Sequence, residues 1–197
     1  MLSLQQKISL METPTFIENY QTNEFDFCDK VIERLEYYLA NNTNGIMIGS
    51  ETNNGQSQRV DYSVNFQAVQ DPLNTEMHQI LNKYILEYAQ KYTGYGQNPC
   101  ISQSMKVQKT PPKGGFHTWH SEHGGNQDAA YRALTWTLYL NDIPEGEGET
   151  EFLEYGIKVQ PKKGLLSFFP AAWSHVHRGN PVYTQTKYIA TGWYYLT

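Results

Sequence analysis

Cysteine is scarce in this chain. Cys28 and Cys100 stand far apart, and neither has a partner at metal-ligand spacing. A disulfide framework is therefore excluded, and two lone thiols suit a reducing compartment. Long apolar runs are missing too. No stretch approaches the roughly 18 apolar residues of a membrane span, and the opening residues Met1 to Lys7 lack the apolar centre of a secretion signal. No membrane partner is expected, and the cytoplasm is the default location. Basic residues are in the minority: Lys and Arg total 15 against 20 Asp and Glu, for a net charge of -5, and they form no stripe. That balance argues against a nucleic-acid partner. Repeats, linkers and low-complexity tracts are absent as well, so the 197 residues are expected to form one domain with its own core. The polar run Glu51 to Gln58 reads as a mobile loop.

Aromatic side chains, by contrast, are abundant: 15 Tyr, 8 Phe and 4 Trp. They suit strands and pocket walls. Two segments, Asn23 to Leu39 and Asn74 to Tyr92, carry apolar residues at i, i+3 and i+4. This predicts two amphipathic helices, with Asn23 and Asn74 as their N-caps. From residue 101 onward the pattern changes. Ser102 to Lys109, Arg132 to Leu140, Gly156 to Val159, Gly164 to Phe169 and Lys187 to Leu196 read as strands bounded by turn residues. Residues 1–100 then form a helical support region with the first strands, and residues 101–197 the core that would carry catalysis. The expected fold class is mainly β with packed helices: a double-stranded β-helix (a cupin-like jelly roll) with N-terminal helices outside its sheets. The funnel between such sheets is a favoured place for a small molecule.

The chemical signal lies in Trp119-His120-Ser121-Glu122 and in Ser174-His175-Val176-His177-Arg178. On a strand, residues i and i+2 project to the same face, so His120 and Glu122 can take adjacent positions around one metal. A second imidazole must come from the later segment. Two histidines and one carboxylate leave the remaining coordination positions open, the donor set of non-haem iron(II) sites. His117, His123 and His175 lie close enough to stand in for these ligands, and a tetrahedral zinc site is the competing reading.

From Lys106 to Trp193 the chain resembles the prolyl 4-hydroxylase-like branch of the iron(II)/2-oxoglutarate dioxygenases. The resemblance rests on His120-Ser121-Glu122, on the arginine-led strand from Arg132 to Tyr139-Leu140, and on the turn Glu147-Gly148-Glu149-Thr150-Glu151-Phe152. It continues through Pro161-Lys162-Lys163-Gly164, His177-Arg178-Gly179-Asn180-Pro181-Val182, and the strand from Lys187 to Trp193. It implies His120, Glu122 and His177 as iron ligands. The cofactors it implies are iron(II), 2-oxoglutarate as cosubstrate and oxygen, with ascorbate as an accessory reductant. Lys187 would pair with the distal carboxylate of 2-oxoglutarate, Tyr139 would donate its hydroxyl to it, Thr191 would add a hydrogen bond, and Trp193 would wall the pocket. Arg132 and Arg178 would meet the substrate, or act as a strand-edge charge and a loop brace.

The implied reaction hydroxylates an unactivated C–H bond, of a prolyl residue in a peptide or protein, with release of succinate and CO2. A small-molecule substrate stays open, as do an idle jelly-roll binding module and a zinc-dependent cupin-like enzyme. Two residues depart from the family pattern. Glu122 replaces the usual aspartate, and Glu147 replaces a glycine, where only a local backbone change is expected. The segments Glu51 to Arg59 and Gly124 to Ala130 read as a lid or as plain surface. Oligomeric state is not legible.

Overall fold

A computed structural model describes residues 14–53, 56–98, 100–125 and 127–197. The first strand, β1 (Glu18–Gln21), leads into helix α1 (Phe25–Ala40), which buries Phe27, Cys28, Val31 and Leu35 along one stripe. Asn23 is not its cap. It sits in the left-handed region at φ 59°, which asparagine tolerates, and Glu24 takes the cap position. Strands β2 (Ile46–Asn53) and β3 (Gln56–Asn65) follow as one long antiparallel hairpin, paired from Ile46↔Val64 to Asn53↔Gln56. The expected mobile loop from Glu51 to Gln58 is therefore strand on both sides, with residues 54 and 55 outside the described set. A backbone ladder holds these polar residues in a way that side-chain hydropathy does not report.

Helix α2 (Pro72–Lys91) starts earlier than expected. Asp71 caps it by accepting the Leu73 N–H at 2.8 Å, and proline occupies the first helical position. Asn74 lies inside its first turn and clamps the chain that leads into the core. Its amide donates to the Gln103 carbonyl at 3.0 Å, and its oxygen accepts the Met105 N–H at 2.8 Å. The remaining strands are β4 (Cys100–Ile101), β5 (Lys106–Thr110), β6 (Gly115–Phe116), β7 (Arg132–Tyr139), β8 (Thr150–Phe152), β9 (Ile157–Val159), β10 (Leu165–Pro170), β11 (His177–Gly179) and β12 (Lys187–Leu196).

The large sheet runs β1-β10-β7-β12-β5-β3-β2, with β4 on β12 and β6 on β3. The small one runs β11-β8-β9. Together they form the mainly β, double-stranded β-helix architecture expected, with both long helices packed on the outside. Strand alternation divides the large sheet's two faces. Val107, Trp136, Leu138, Leu166, Phe168 and Ala190 join the stripes of α1 and α2 in one buried core. A second cluster of Ile17, Tyr139, Phe152, Val159 and Phe169 fills the space between the sheets at one end. Each of these large side chains contributes about 1.5–3 kcal/mol on burial. The positions of β12 left over by this alternation, Lys187, Ile189, Thr191 and Trp193, line a cavity of about 420 Å³. No helix of the described residues is long and apolar enough to cross a membrane.

Candidate metal centre

The mouth of this cavity is built by two segments far apart in sequence. His120 and His177 form an antiparallel bridge: the His120 N–H donates to the His177 carbonyl at 3.0 Å, and the His177 N–H returns to the His120 carbonyl at 2.8 Å. A directly opposed pair of this kind projects both side chains to the same face. The two imidazole rings lie 4.5 Å apart. Glu122, two residues beyond His120, presents Oε1 at 3.4 Å from His177 Nε2 and 3.8 Å from His120 Nε2. One ligand atom from each of the three lies within 4.8 Å of the others.

Both histidines are held the same way. His120 Nδ1 lies 2.9 Å from the Thr118 carbonyl, and His177 Nδ1 lies 2.9 Å from the His175 carbonyl. Each Nδ1 therefore carries the proton, and each Nε2 points its lone pair inward. Glu122 is braced from behind, where the Trp193 indole N–H donates to Oε2 at 2.9 Å and the Arg132 guanidinium lies 3.4 Å from that oxygen. Arg132 in turn stacks on the Trp193 ring at 3.7 Å and pairs with Asp128 at 2.6 Å. Burial alone would raise the Glu122 pKa, whereas protonation of the two rings at Nε2 would supply hydrogen bonds and charge that hold it well below the usual carboxylate range. Two imidazole lone pairs and a carboxylate thus converge on one point with no protein donor between them. A cation resolves that repulsion, and the donor set fits a divalent metal of intermediate hardness.

Deeper in, Lys187 is buried, at 6 % exposure, and among the described residues its ammonium donates to a single acceptor, the Gly148 carbonyl at 2.6 Å. Burial pushes its pKa down from 10.5 to about 8, with Glu149 acting in the opposite direction. An ammonium so placed fits an anionic ligand group, since a buried charge without a partner is costly. Gly148 makes this geometry feasible. Its φ is +71°, and an added Cβ would lie 2.8 Å from Val182 Cγ1.

Not every residue implied by the resemblance faces the cavity. Thr191 and Trp193 do, but the Thr191 hydroxyl already donates to the Trp136 carbonyl at 2.7 Å. The buried Tyr139 hydroxyl donates to Thr150 Oγ1 at 2.7 Å, so Thr150 rather than Tyr139 presents the oxygen at the wall. Arg178 points the other way, as the alternation His177-in, Arg178-out requires. It makes two hydrogen bonds to Glu151, at 3.1 and 2.8 Å, and lies over Trp119. His175 is engaged by the Thr15 carbonyl at 2.8 Å, His123 by the Arg132 carbonyl at 2.6 Å and His117 by the Gly179 carbonyl at 3.1 Å. Glu147 does more than adjust the backbone: its carboxylate accepts from the Tyr183 N–H and from the Thr184 N–H and hydroxyl, tying down the loop before β12.

Sequence reasoning missed a second group on the wall. Arg59 and Asp61 pair at 2.9 Å on β3, Gln108 on β5 donates to Asp61 at 2.5 Å, and Lys106 stands beside them. Their signal was the polar half of an alternating strand, which is ordinarily read as the solvent face.

Comparison with known proteins places this geometry. Residues 105–195 match the family described as the 2OG-Fe(II) oxygenase superfamily. No curated protein sequence matches the chain. Among solved structures, the chain is similar to a Pseudomonas putida prolyl-4-hydroxylase (TM-score 0.71, 17 % identity, covering 93 % of this chain and 94 % of that one). It is also similar to a viral collagen prolyl hydroxylase from Paramecium bursaria Chlorella virus-1 in complex with 2OG (TM-score 0.69, 19 % identity, 92 % and 97 % covered). A third is a prolyl hydroxylase from Trichoplax adhaerens in complex with a peptide fragment of the hypoxia inducible factor oxygen degradation domain (TM-score 0.68, 16 % identity, 92 % and 84 % covered).

Proposed function

We propose that the chain is a 2OG-Fe(II) oxygenase, the superfamily that its residues 105–195 match, and that it hydroxylates a prolyl residue of a peptide or protein, with iron held by His120, Glu122 and His177. The observation that carries this reading is the convergence of these three side chains at the mouth of a cavity whose inner end holds a buried lysine. The iron and cosubstrate, when bound, supply the oxidation: one atom of O2 enters the substrate C–H bond, while 2-oxoglutarate takes the other and leaves as succinate and CO2.

The chain's own part is positioning. The Thr118 and His175 carbonyls fix the two Nδ1–H groups and so aim both Nε2 atoms. Trp193 and Arg132 hold Glu122 at Oε2, leaving Oε1 directed at the histidines. Lys187 neutralises the distal carboxylate of 2-oxoglutarate, and Thr150 presents a hydroxyl to the same cavity. No side chain is asked to act as a general base. The prolyl assignment draws its support from the likeness to three prolyl hydroxylases, one of them holding a peptide.

Anaerobic titration with iron(II), with and without 2-oxoglutarate, tests the site. A weak visible charge-transfer band is expected with wild type and with His175→Ala, and its loss with His177→Ala. Proline-containing peptides should then gain one oxygen atom, with stoichiometric succinate. If saturating iron gives no band, the iron and cosubstrate reading fails, and a zinc enzyme or an idle binding module takes its place. If the band forms and no prolyl peptide is oxidised, only the substrate assignment falls.

A further inference from the structure

The charges of the cavity come in compensated sets, with one exception. On the reading proposed above, on which this inference rests, iron(II), Glu122 and the 2-oxoglutarate dianion leave one negative charge, which Lys187 offsets. Arg59 and Asp61 neutralise each other across 2.9 Å, and Gln108 completes Asp61. Arg132 is shared between Glu122 and Asp128. Glu149, whose field reaches Lys187, opens on a separate hollow beside Lys158 and Arg178. Lys106 remains. Its side chain is half-buried in the cavity wall, yet its ammonium makes no hydrogen bond or ion pair with any described residue.

Its position in the ladder shows what it faces. On β12, Lys187 is paired with Thr110 of β5, and Thr191 with Lys106. The two lysines are therefore four positions apart along the strands, on the order of 13 Å at the usual rise. Lys187 serves the inner end. Lys106 stands at the outer end, on the side of Trp193 and Glu122. There the cavity meets a second hollow of about 610 Å³, which Lys106, Arg132 and Trp193 also line together with Met47 and Tyr195. Burial lowers its pKa, with Arg59 acting in the same direction and Asp61 and Glu122 acting in the opposite one. None of the described residues offers the ammonium an acceptor at bonding distance, and a half-buried lysine without an acceptor costs more than a solvated one.

We propose that Lys106 pairs with a carboxylate of the substrate, and that the natural substrate is therefore acidic close to the carbon that is oxidised. A side-chain carboxylate of a neighbouring Asp or Glu and a free C-terminal carboxylate present the same chemistry, a single anion for a point-charge donor.

Calorimetric binding to the iron(II)- and 2-oxoglutarate-loaded protein under anaerobic conditions reads this without turnover. The probes are short blocked peptides with a central proline, prepared as Glu and Gln counterparts at the next position, and as C-terminal acid and amide. At least one acid should bind about tenfold or more tightly than its neutral counterpart. Lys106→Met should bring the ratio to within about twofold, and Lys106→Arg should keep most of it. The Glu/Gln arm and the acid/amide arm identify the source of the carboxylate. Affinity for 2-oxoglutarate, which depends on Lys187, should be the same in both variants and shows that they are folded. Equal binding of acid and neutral peptides by wild type, or a preference that survives Lys106→Met, overturns the proposal while leaving the proposed function standing. Failure of wild type to bind 2-oxoglutarate overturns both.

Discussion

Replacing Lys187 by methionine should make the cosubstrate-free protein more stable, and more so at neutral than at alkaline pH. The ammonium has an ordinary pKa of 10.5, and burial pushes it down to about 8 in the fold, Glu149 acting the other way. Because the folded value is the lower one, the folded protein binds fewer protons than the unfolded chain between these limits, and wild-type stability rises with pH across that window. The penalty for keeping this charge buried is then about 3 kcal/mol at pH 7 and about 1.4 kcal/mol at pH 9.5. Methionine fills a similar volume and carries no charge. Urea denaturation of apo wild type and Lys187→Met at both pH values gives four stabilities. The advantage of the variant should shrink by about 2 kcal/mol on going from pH 7 to pH 9.5. Any packing difference, and every other titrating group, cancels in that double difference. The same variant should lose measurable 2-oxoglutarate binding. A stability difference that does not change with pH would refute the reasoning, because it would mean that the ammonium already has its counter-charge in the apo protein.

Three further outcomes follow from single contacts. Trp193→Phe removes the indole donor to Glu122 but keeps an aromatic wall, so iron(II) affinity should fall about 10–100-fold in an anaerobic titration; unchanged affinity would mean the bond does not orient the carboxylate. Gly148→Ala forces a side chain onto a φ of +71° and against Val182, and should cost about 1–3 kcal/mol in thermal unfolding while weakening 2-oxoglutarate binding through the carbonyl that Lys187 uses. Arg178→Ala breaks a partly exposed pair with Glu151, so stability should drop by about 1 kcal/mol or less and peptide KM should not move; a large rise in KM alone would place Arg178 at the substrate.

The extent to which the sequence discloses this molecule depends on where side chains face. Strand β12 is legible at both ends because its cavity-facing and core-facing residues differ in character: Lys187 and Thr191 against Ala190 and Tyr194. The stripe of α1 is legible for the same reason, and so is the pairing of His120 with Glu122 two residues on. Strands β2 and β3 are not. Their ladder is made by backbone groups, and the run from Glu51 to Gln58 looks like any solvated loop. That omission also hid Asp61 and Arg59, whose partners sit on β5 and β6. Asn74 misled for a related reason: an asparagine at a helix start resembles a cap, yet its amide bonds to Gln103 and Met105 instead, and the Asp71-Pro72 pair marks the true beginning. Which of five nearby histidines turns inward is a tertiary question. It is answered by the backbone bridge that sets His120 and His177 on one face, while His175, His117 and His123 meet the carbonyls of Thr15, Gly179 and Arg132 elsewhere.

The reciprocal amide pair joining His120 and His177 has a consequence for how the mouth can be observed. The two protons it protects belong to the residues offered to the metal, so their exchange with deuterium reports separation of the two segments directly, in the absence of iron, cosubstrate or any chromophore. Occupancy of the centre can only slow that exchange, by the free energy with which the cation binds the joined form. The backbone thus carries its own gauge of metal loading, readable at two positions of the chain.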